Sequence, residues 1–239
     1  MSEPAQTGAG ESGAALRVLL AVAAPGEARA ILTAMRARTE LAEHVWRLHS
    51  LGPQLDMVVT GVGKAQAAGG VARVLDRARH GLVISAGVGG ALPLGGSEHL
   101  EIGVAVAATR SVFADEGVLS PSGFVNMADR GFAPGPWTGS GVDIEPEVLA
   151  GIQPGCDVAG AVATVSTCSG TDDLAREVVR RTGAIAEAME GAAVAVAASR
   201  AGVRFAEVRV ISNRTGENPG WELPRALIRL GEVVAGMVA

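Results

Sequence analysis

The sequence of 239 residues has only two cysteines, one lysine and no surplus of positive charge. Cys156 and Cys168 form neither a CxxC pair nor a ladder, which argues against a disulfide scaffold or a thiolate metal site and for a reducing compartment. Lysine and arginine number 20 against 25 acidic residues, and the net charge of −5 offers no attraction to nucleic acid or to an anionic membrane surface. Long apolar runs are missing too. Leu16–Ala24 falls well short of the roughly 20 residues that span a bilayer, and Gly, Pro or charge interrupts every other stretch. Met1–Ala14 is small and polar, without the cationic start and apolar run of a secretory leader, and is expected to be a loose extension. The four histidines suggest no metal site. His44 and His49 fall on one expected strand at a spacing that sends them to opposite faces, while His80 and His99 are expected in surface loops. These exclusions leave a cytoplasmic enzyme or binding protein.

Glycine, by contrast, is plentiful at 33 residues, about twice the usual share of roughly 7%, but it has no period. With 48% hydrophobic residues, a single domain over residues 15–239 has enough apolar material for a full core. Short β-branched runs alternate with helical segments, the pattern of an α/β protein whose parallel strands are covered by helices. Strands are expected at Arg17–Val22, Met57–Thr60, Leu82–Ser85, Val104–Ala108, Ala161–Val165 and Arg204–Ile211. Helices are expected at Glu27–Arg38, Lys64–Arg79, Asp172–Thr182, Gly191–Ala201 and Glu222–Met237. The last carries Leu223, Leu227, Leu230 and Val234 on one stripe, suited to closing over the sheet. Phe113–Gly155, rich in Gly and Pro, reads as loops and short strands overhanging a site.

Two glycine clusters follow expected strands, at Gly61-Val62-Gly63-Lys64 and Gly87-Val88-Gly89-Gly90. Both lack the third glycine of a dinucleotide fingerprint, and a P-loop would need glycine where Val58 stands. They read either as tight strand-to-helix turns or as places where a ligand approaches the backbone. Three polar residues stand among small or apolar neighbours near strand ends, where open α/β sheets gather ligands. Glu190, in Ala-Met-Glu-Gly-Ala-Ala, is a buried acid that would need partners. A ribose diol would supply two donors; the amides of the helix beginning at Gly191 would serve as well. Glu27 fits a first-turn acid and Asn213 a cap or turn residue, and each also fits a site. Cys168 sits beside Ser166, Thr167, Ser169 and Thr171 with no histidine nearby, so a pocket-wall residue is favoured over a nucleophile.

Together, Val59-Thr60-Gly61-Val62-Gly63-Lys64, Ile84-Ser85-Ala86-Gly87-Val88-Gly89-Gly90-Ala91-Leu92, Met189-Glu190-Gly191-Ala192-Ala193 and Arg209-Val210-Ile211-Ser212-Asn213 resemble the nucleoside phosphorylase and nucleosidase superfamily, in order and spacing from about Leu16 onward. Within it, Ile211-Ser212-Asn213-Arg214-Thr215-Gly216, Trp221 and Ser166-Thr167-Cys168-Ser169-Gly170-Thr171 resemble the futalosine hydrolase family of the alternative menaquinone pathway. The resemblance implies a nucleoside phosphorylase-like, three-layer α/β/α fold around a central twisted mixed sheet. It also implies a homo-oligomer acting on a small-molecule nucleoside, with no metal or organic cofactor needed.

By the same resemblance Glu27 matches the glutamate that activates water, Glu190 binds the ribose hydroxyls and Met189 packs on the sugar. Gly87, Val88, Cys168, Ser169, Gly170 and Thr171 are expected to line the base or sugar pocket. Methylthioadenosine/S-adenosylhomocysteine nucleosidases carry aspartate at the position of Asn213 and serine at that of Val88. An amide cannot deliver a proton to purine N7 as an acid can, but its NH2 group can face the N7 and O6 acceptors of hypoxanthine. Futalosine also carries a benzoate on its 5′ side, for which Arg214, Arg110 and Arg130 are candidate anchors. The alternatives are a phosphorylase, an adenine-directed nucleosidase and a nucleoside-binding protein without catalysis. A phosphate close to Glu27 would be repelled, which favours water as the acceptor.

Overall fold

The computed structural model describes residues 16–39, 45–95 and 98–238, so the expected N-terminal extension and His44 lie outside the described residues. In chain order the elements are β1 (Arg17–Val22), α1 (Pro25–Ala34), β2 (Leu48–Ser50), β3 (Leu55–Val59), α2 (Lys64–Val74), β4 (His80–Ala91), β5 (Pro93–Gly95) and β6 (Glu98–His99). They continue with β7 (Ala105–Phe113), β8 (Gly117–Ser120), β9 (Gly123–Asn126), β10 (Gly141–Asp143), α3 (Pro146–Ile152) and β11 (Val158–Thr164). The last are α4 (Asp172–Thr182), β12 (Ala186–Ala188), α5 (Gly191–Arg200), β13 (Arg204–Arg214) and α6 (Leu223–Met237).

In β1 the four residues Leu19–Val22 are all buried, so both faces of the strand are covered, as expected for an interior parallel strand. It lies between β3 and β4 and runs parallel to both. The main sheet has nine strands in the order β10-β7-β11-β12-β4-β1-β3-β2, with β13 bridging β4 in parallel and β7 antiparallel. Strands β4, β13, β7, β11 and β12 therefore close a ring within the mixed sheet. Around it α1 packs on α6 and α2 on α5. This is the expected mixed sheet with surrounding helices.

Several details differ from the reading of the sequence. The strand expected at Leu82–Ser85 continues through Gly87, Gly89 and Gly90, because β12 and β13 pair with that stretch. The second glycine cluster is thus strand, whereas Gly61 and Gly63, with φ of 91° and 94°, do form a strand-to-helix turn. Phe113–Gly155 contains a helix as well as short strands: in α3, Val148 and Ile152 are four apart and both buried. Finally, His80 is not a surface loop residue. It opens β4 fully buried, accepting from the Asp76 N–H at 3.1 Å through Nδ1, with Nε2 3.0 Å from Asp56 Oδ2. His99 lies in β6 rather than in a loop.

Two features of the sheet place the site. Between Ile211 and Asn213 the pairing of β13 with β4 slips by one residue, so Ser212 is a bulge that re-aims the side chains after it. On α6, the C-terminal half of the expected stripe, Leu230 and Val234, enters the core, but Leu223 is 42% exposed. Leu223 and Leu227 face a cavity instead.

Candidate active site

A buried cluster of charges lies under the ends of β1, β4 and β13. Glu27 stands in the first turn of α1, after Pro25 has set the helix start, where the dipole favours an acid. Its Oε2 accepts from the Ala24 and Ala23 N–H groups at 2.9 and 3.0 Å, and its Oε1 from the Val88 N–H of β4 at 2.9 Å. Burial raises its pKa, against the lowering influence of those amides and of Arg209. The helix-start and site readings of Glu27 are thus the same geometry: the acid caps α1 and is aimed across the sheet.

Arg209 is the largest fully buried side chain among the described residues. It donates from Nε to Glu207 at 2.9 Å and from Nη2 to Ser85 Oγ at 2.8 Å, and its Nη1 lies 3.5 Å from Glu190 Oε2. Glu207 also accepts from Ser111 Oγ at 2.5 Å. Gly87 leaves room for this cluster: a β-carbon there would come within 2.6 Å of both Glu27 Oε1 and Arg209 Nη1.

Glu190 occupies the N-cap position of α5, yet its side chain makes no cap bond. Its Oε1 instead accepts from the Gly63 N–H at 3.0 Å, across the turn made by the first glycine cluster, and its Oε2 from the Met189 N–H at 3.3 Å. The helix-cap reading of Glu190 is therefore replaced by one in which a distant turn holds it. Asn213, just past the bulge, accepts at Oδ1 from Ser212 Oγ at 3.0 Å and donates from Nδ2 to the Arg214 carbonyl at 2.7 Å. One amide proton is left for a ligand.

These groups meet in one cavity of about 570 Å³, within the range of small-molecule sites. Of the residues named from the sequence, Glu27, Val88, Cys168, Ser169, Gly170, Met189, Glu190 and Asn213 line it. Gly87 and Thr171 do not. Gly87 lies beneath, against Glu27 and Arg209, and Thr171 caps α4, its Oγ1 accepting from the Leu174 N–H at 3.2 Å. No residue of 113–155 lines the cavity either, so that segment does not overhang it. Of the three candidate anchors Arg214 is in the wall, whereas Arg110 pairs with Asp143 at 3.0 Å on β7 and β10, and Arg130 lies away from the cavity. The Cys168 thiol is pushed up by burial and by Glu187 and Glu190, and Cys156 is pushed up to about 11 by burial. Neither is an activated nucleophile.

The sequence reading missed Glu187, Ser212, Leu223 and Leu227 as wall residues and Arg209 beneath them. Glu187 carried a usable signal, an acid within Ile185-Ala186-Glu187-Ala188-Met189, the same kind that marked Glu190. Among the described residues no group of His, Cys, Asp and Glu is arranged to hold a metal ion, and no helix is long and apolar enough to cross a membrane.

Comparison with known proteins gives the class of this fold and cavity: the chain belongs to the phosphorylase superfamily, whose family model matches residues 17–239. The fold is that of the 5′-methylthioadenosine/S-adenosylhomocysteine nucleosidase from Neisseria meningitidis, with a TM-score of 0.75 and 19% identity over 93% of this chain and 98% of that one. Within the superfamily the chain belongs to the futalosine hydrolase family. It is 42% identical to the futalosine hydrolase of Acidothermus cellulolyticus over 77% of this chain and 75% of that protein, and 35% identical to that of Streptomyces coelicolor over 92% and 94%.

Proposed function

We propose that this protein hydrolyses the N-glycosidic bond of futalosine, releasing hypoxanthine and the modified sugar. The observation that carries the reading is the convergence of Glu27, Glu190 and Asn213, remote in sequence, on one cavity. As the C1′–N9 bond lengthens, positive charge develops on the ribosyl ring and the bond's electron pair passes to the purine. Glu190, bonded to the ribose hydroxyls, steadies that cation through them. Glu27 takes a proton from the water whose oxygen bonds to C1′, and its three amide donors keep its carboxylate in place. Asn213 donates its remaining amide proton to the departing base, whose charge is then neutralised by a proton from solvent. Met189 packs on the sugar, and Val88, Cys168, Ser169 and Gly170 shape the walls.

Water is favoured over phosphate as acceptor because the arginine nearest Glu27 is already engaged: Arg209 is committed to Glu207, Ser85 and Glu190. Arg29 on α1 is exposed and outside the cavity. Arg214, in the cavity wall and 48% exposed, is the anchor for the 5′ benzoate, with Trp221 and Leu223 providing apolar surface beside it. Kinship and the two unpaired thiols support a homo-oligomeric, cytoplasmic enzyme. The test is release of hypoxanthine from futalosine, beside inosine and methylthioadenosine, with and without phosphate. Turnover of futalosine without phosphate is the expected result; dependence on phosphate would make the protein a phosphorylase.

A further inference from the structure

Glu187 has no part in the chemistry above, yet it is 4% exposed and lies in the cavity wall. Its Oε1 accepts from the Ser169 N–H at 2.8 Å and its Oε2 from Ser169 Oγ at 2.6 Å. A carboxylate has about four acceptor positions, so each oxygen keeps one unused. Burial raises its pKa, the interactions that favour its charged form both come from Ser169, and a carboxylate so buried gains from any further donor. The sheet register fixes where that donor would come from. Gly90 of β4 is paired with Glu187 of β12 on one side and with Asn213 of β13 on the other. A β-carbon on Gly90 would lie 3.0 Å from Thr215 Cγ2, 3.3 Å from Asn213 Nδ2 and 3.6 Å from Glu187 Cγ, so the two polar side chains stand close to this glycine and line the cavity with it. One offers a donor and the other an acceptor.

A 6-oxopurine presents the complement along one edge: acceptors at N7 and O6, then a donor at N1–H. A 6-aminopurine has a lone pair at N1 and donors at N6. We propose that Glu187 and Asn213, the two register partners of Gly90, form a matched pair that reads the lactam edge of a 6-oxopurine, Glu187 accepting from N1–H while the one remaining amide proton of Asn213 is shared between N7 and O6. Glu187 is thereby the residue that rejects adenine nucleosides, because its carboxylate would face the N1 lone pair. A site built to bond a particular hydrogen discriminates strongly against an analogue that lacks it, since its own buried group is left unpaired. This inference rests on the futalosine reading and adds the specificity determinant to it.

The experiment pairs two proteins with two ligand series. Wild-type protein and Glu187→Gln are compared in kcat/KM for futalosine and its 6-amino analogue. The wild type is expected to favour the 6-oxo substrate by more than about a hundredfold, and the variant, whose amide can donate to adenine N1, to lose about tenfold or more of that preference. Binding of free hypoxanthine and 1-methylhypoxanthine is measured on both proteins, so that a variant with impaired turnover still reports. The N1 methyl group should weaken binding to the wild type by about tenfold or more and make much less difference to the variant. Equal methyl penalties in both proteins, an unchanged substrate ratio, or a wild-type preference for the 6-amino analogue would overturn the assignment of Glu187. A wild type inert toward both nucleosides would overturn the futalosine reading itself and this inference with it.

Discussion

At the scale of single residues the site is governed by what burial does to carboxylates. As the proposed base, Glu27 would have to be ionised to accept a proton from water, but burial raises its pKa. The acid limb of kcat/KM is therefore expected above the ordinary glutamate value of about 4.3, with activity falling as pH drops through the raised value. A pH profile checks this, and a limb at or below the ordinary value would remove Glu27 as the base. The glycine beneath it gives a second expectation. Gly87→Ala would place a methyl group 2.6 Å from both Glu27 Oε1 and Arg209 Nη1, and displacing a positioned base by about an ångström costs on the order of 100-fold. Steady-state kinetics on the folded variant should show a loss of that size in kcat. On the proposed reading Arg214 binds the 5′ benzoate, so Arg214→Ala is expected to raise KM for futalosine by roughly 10- to 100-fold, the worth of a hydrogen bond to a charged group, with little change for inosine, which lacks the benzoate.

At the scale of elements, the sheet is clamped at the end opposite the site. Asp56 of β3, with no exposure, accepts from Arg17 of β1 at 2.7 and 2.8 Å and from Arg79 at 2.6 and 3.0 Å, and lies 3.0 Å from His80 of β4. Burial alone would raise its pKa, but Arg79, Arg17 and His80 together hold it far below the usual carboxylate range. Since the folded-state value lies below that of the unfolded chain, this stabilisation is present above the ordinary carboxylate range and is lost as the pH falls through the lower, folded value. Asp56→Ala leaves three partners without their acceptor and is expected to cost about 3 kcal/mol, or roughly 6–12 °C in Tm. Thermal unfolding at neutral pH checks it; a change under a degree would show that the clamp is dispensable. Elements also differed in how plainly the sequence announced them. β1 and α4 have the expected limits because each is bounded by local signals, a charged entry for the strand and Thr171 with Gly183 as caps for the helix. β12 and the far half of β4 carried no such signal, since pairing between distant strands holds Ala-Glu-Ala and the glycine run extended.

At the scale of the whole molecule, chemistry depends on closing the ring of strands, and this is what the sequence concealed. Glu207 and Arg209 alternate with Val208 and Val210 along β13, which suggests one apolar and one solvated face. Pairing with β4 and β7 closes both edges of β13, and α3, α5 and α6 pack against it, so both faces are buried alike and Arg209 becomes a charge beneath the cavity. Glu27, Glu190 and Asn213 were legible because each interrupts apolar or small residues at a strand end and because their motifs resemble a family. Thr171 and Gly87 were misplaced from the wall for the opposite reason: neighbours in sequence of true wall residues, they are turned away by a helix cap and by a strand's alternation.

The fold brings Glu27, Glu190 and Asn213 to one cavity, and replacing one carboxylate oxygen tests the proposed division of labour among water, sugar and base. Hypoxanthine release from futalosine is measured for the wild type and for Glu27→Gln, beside the affinity of each for a non-cleaved analogue. Loss of about 100-fold or more in turnover with affinity held within a few-fold is the expected result. Undiminished turnover in Glu27→Gln would contradict the assignment of water activation to this residue.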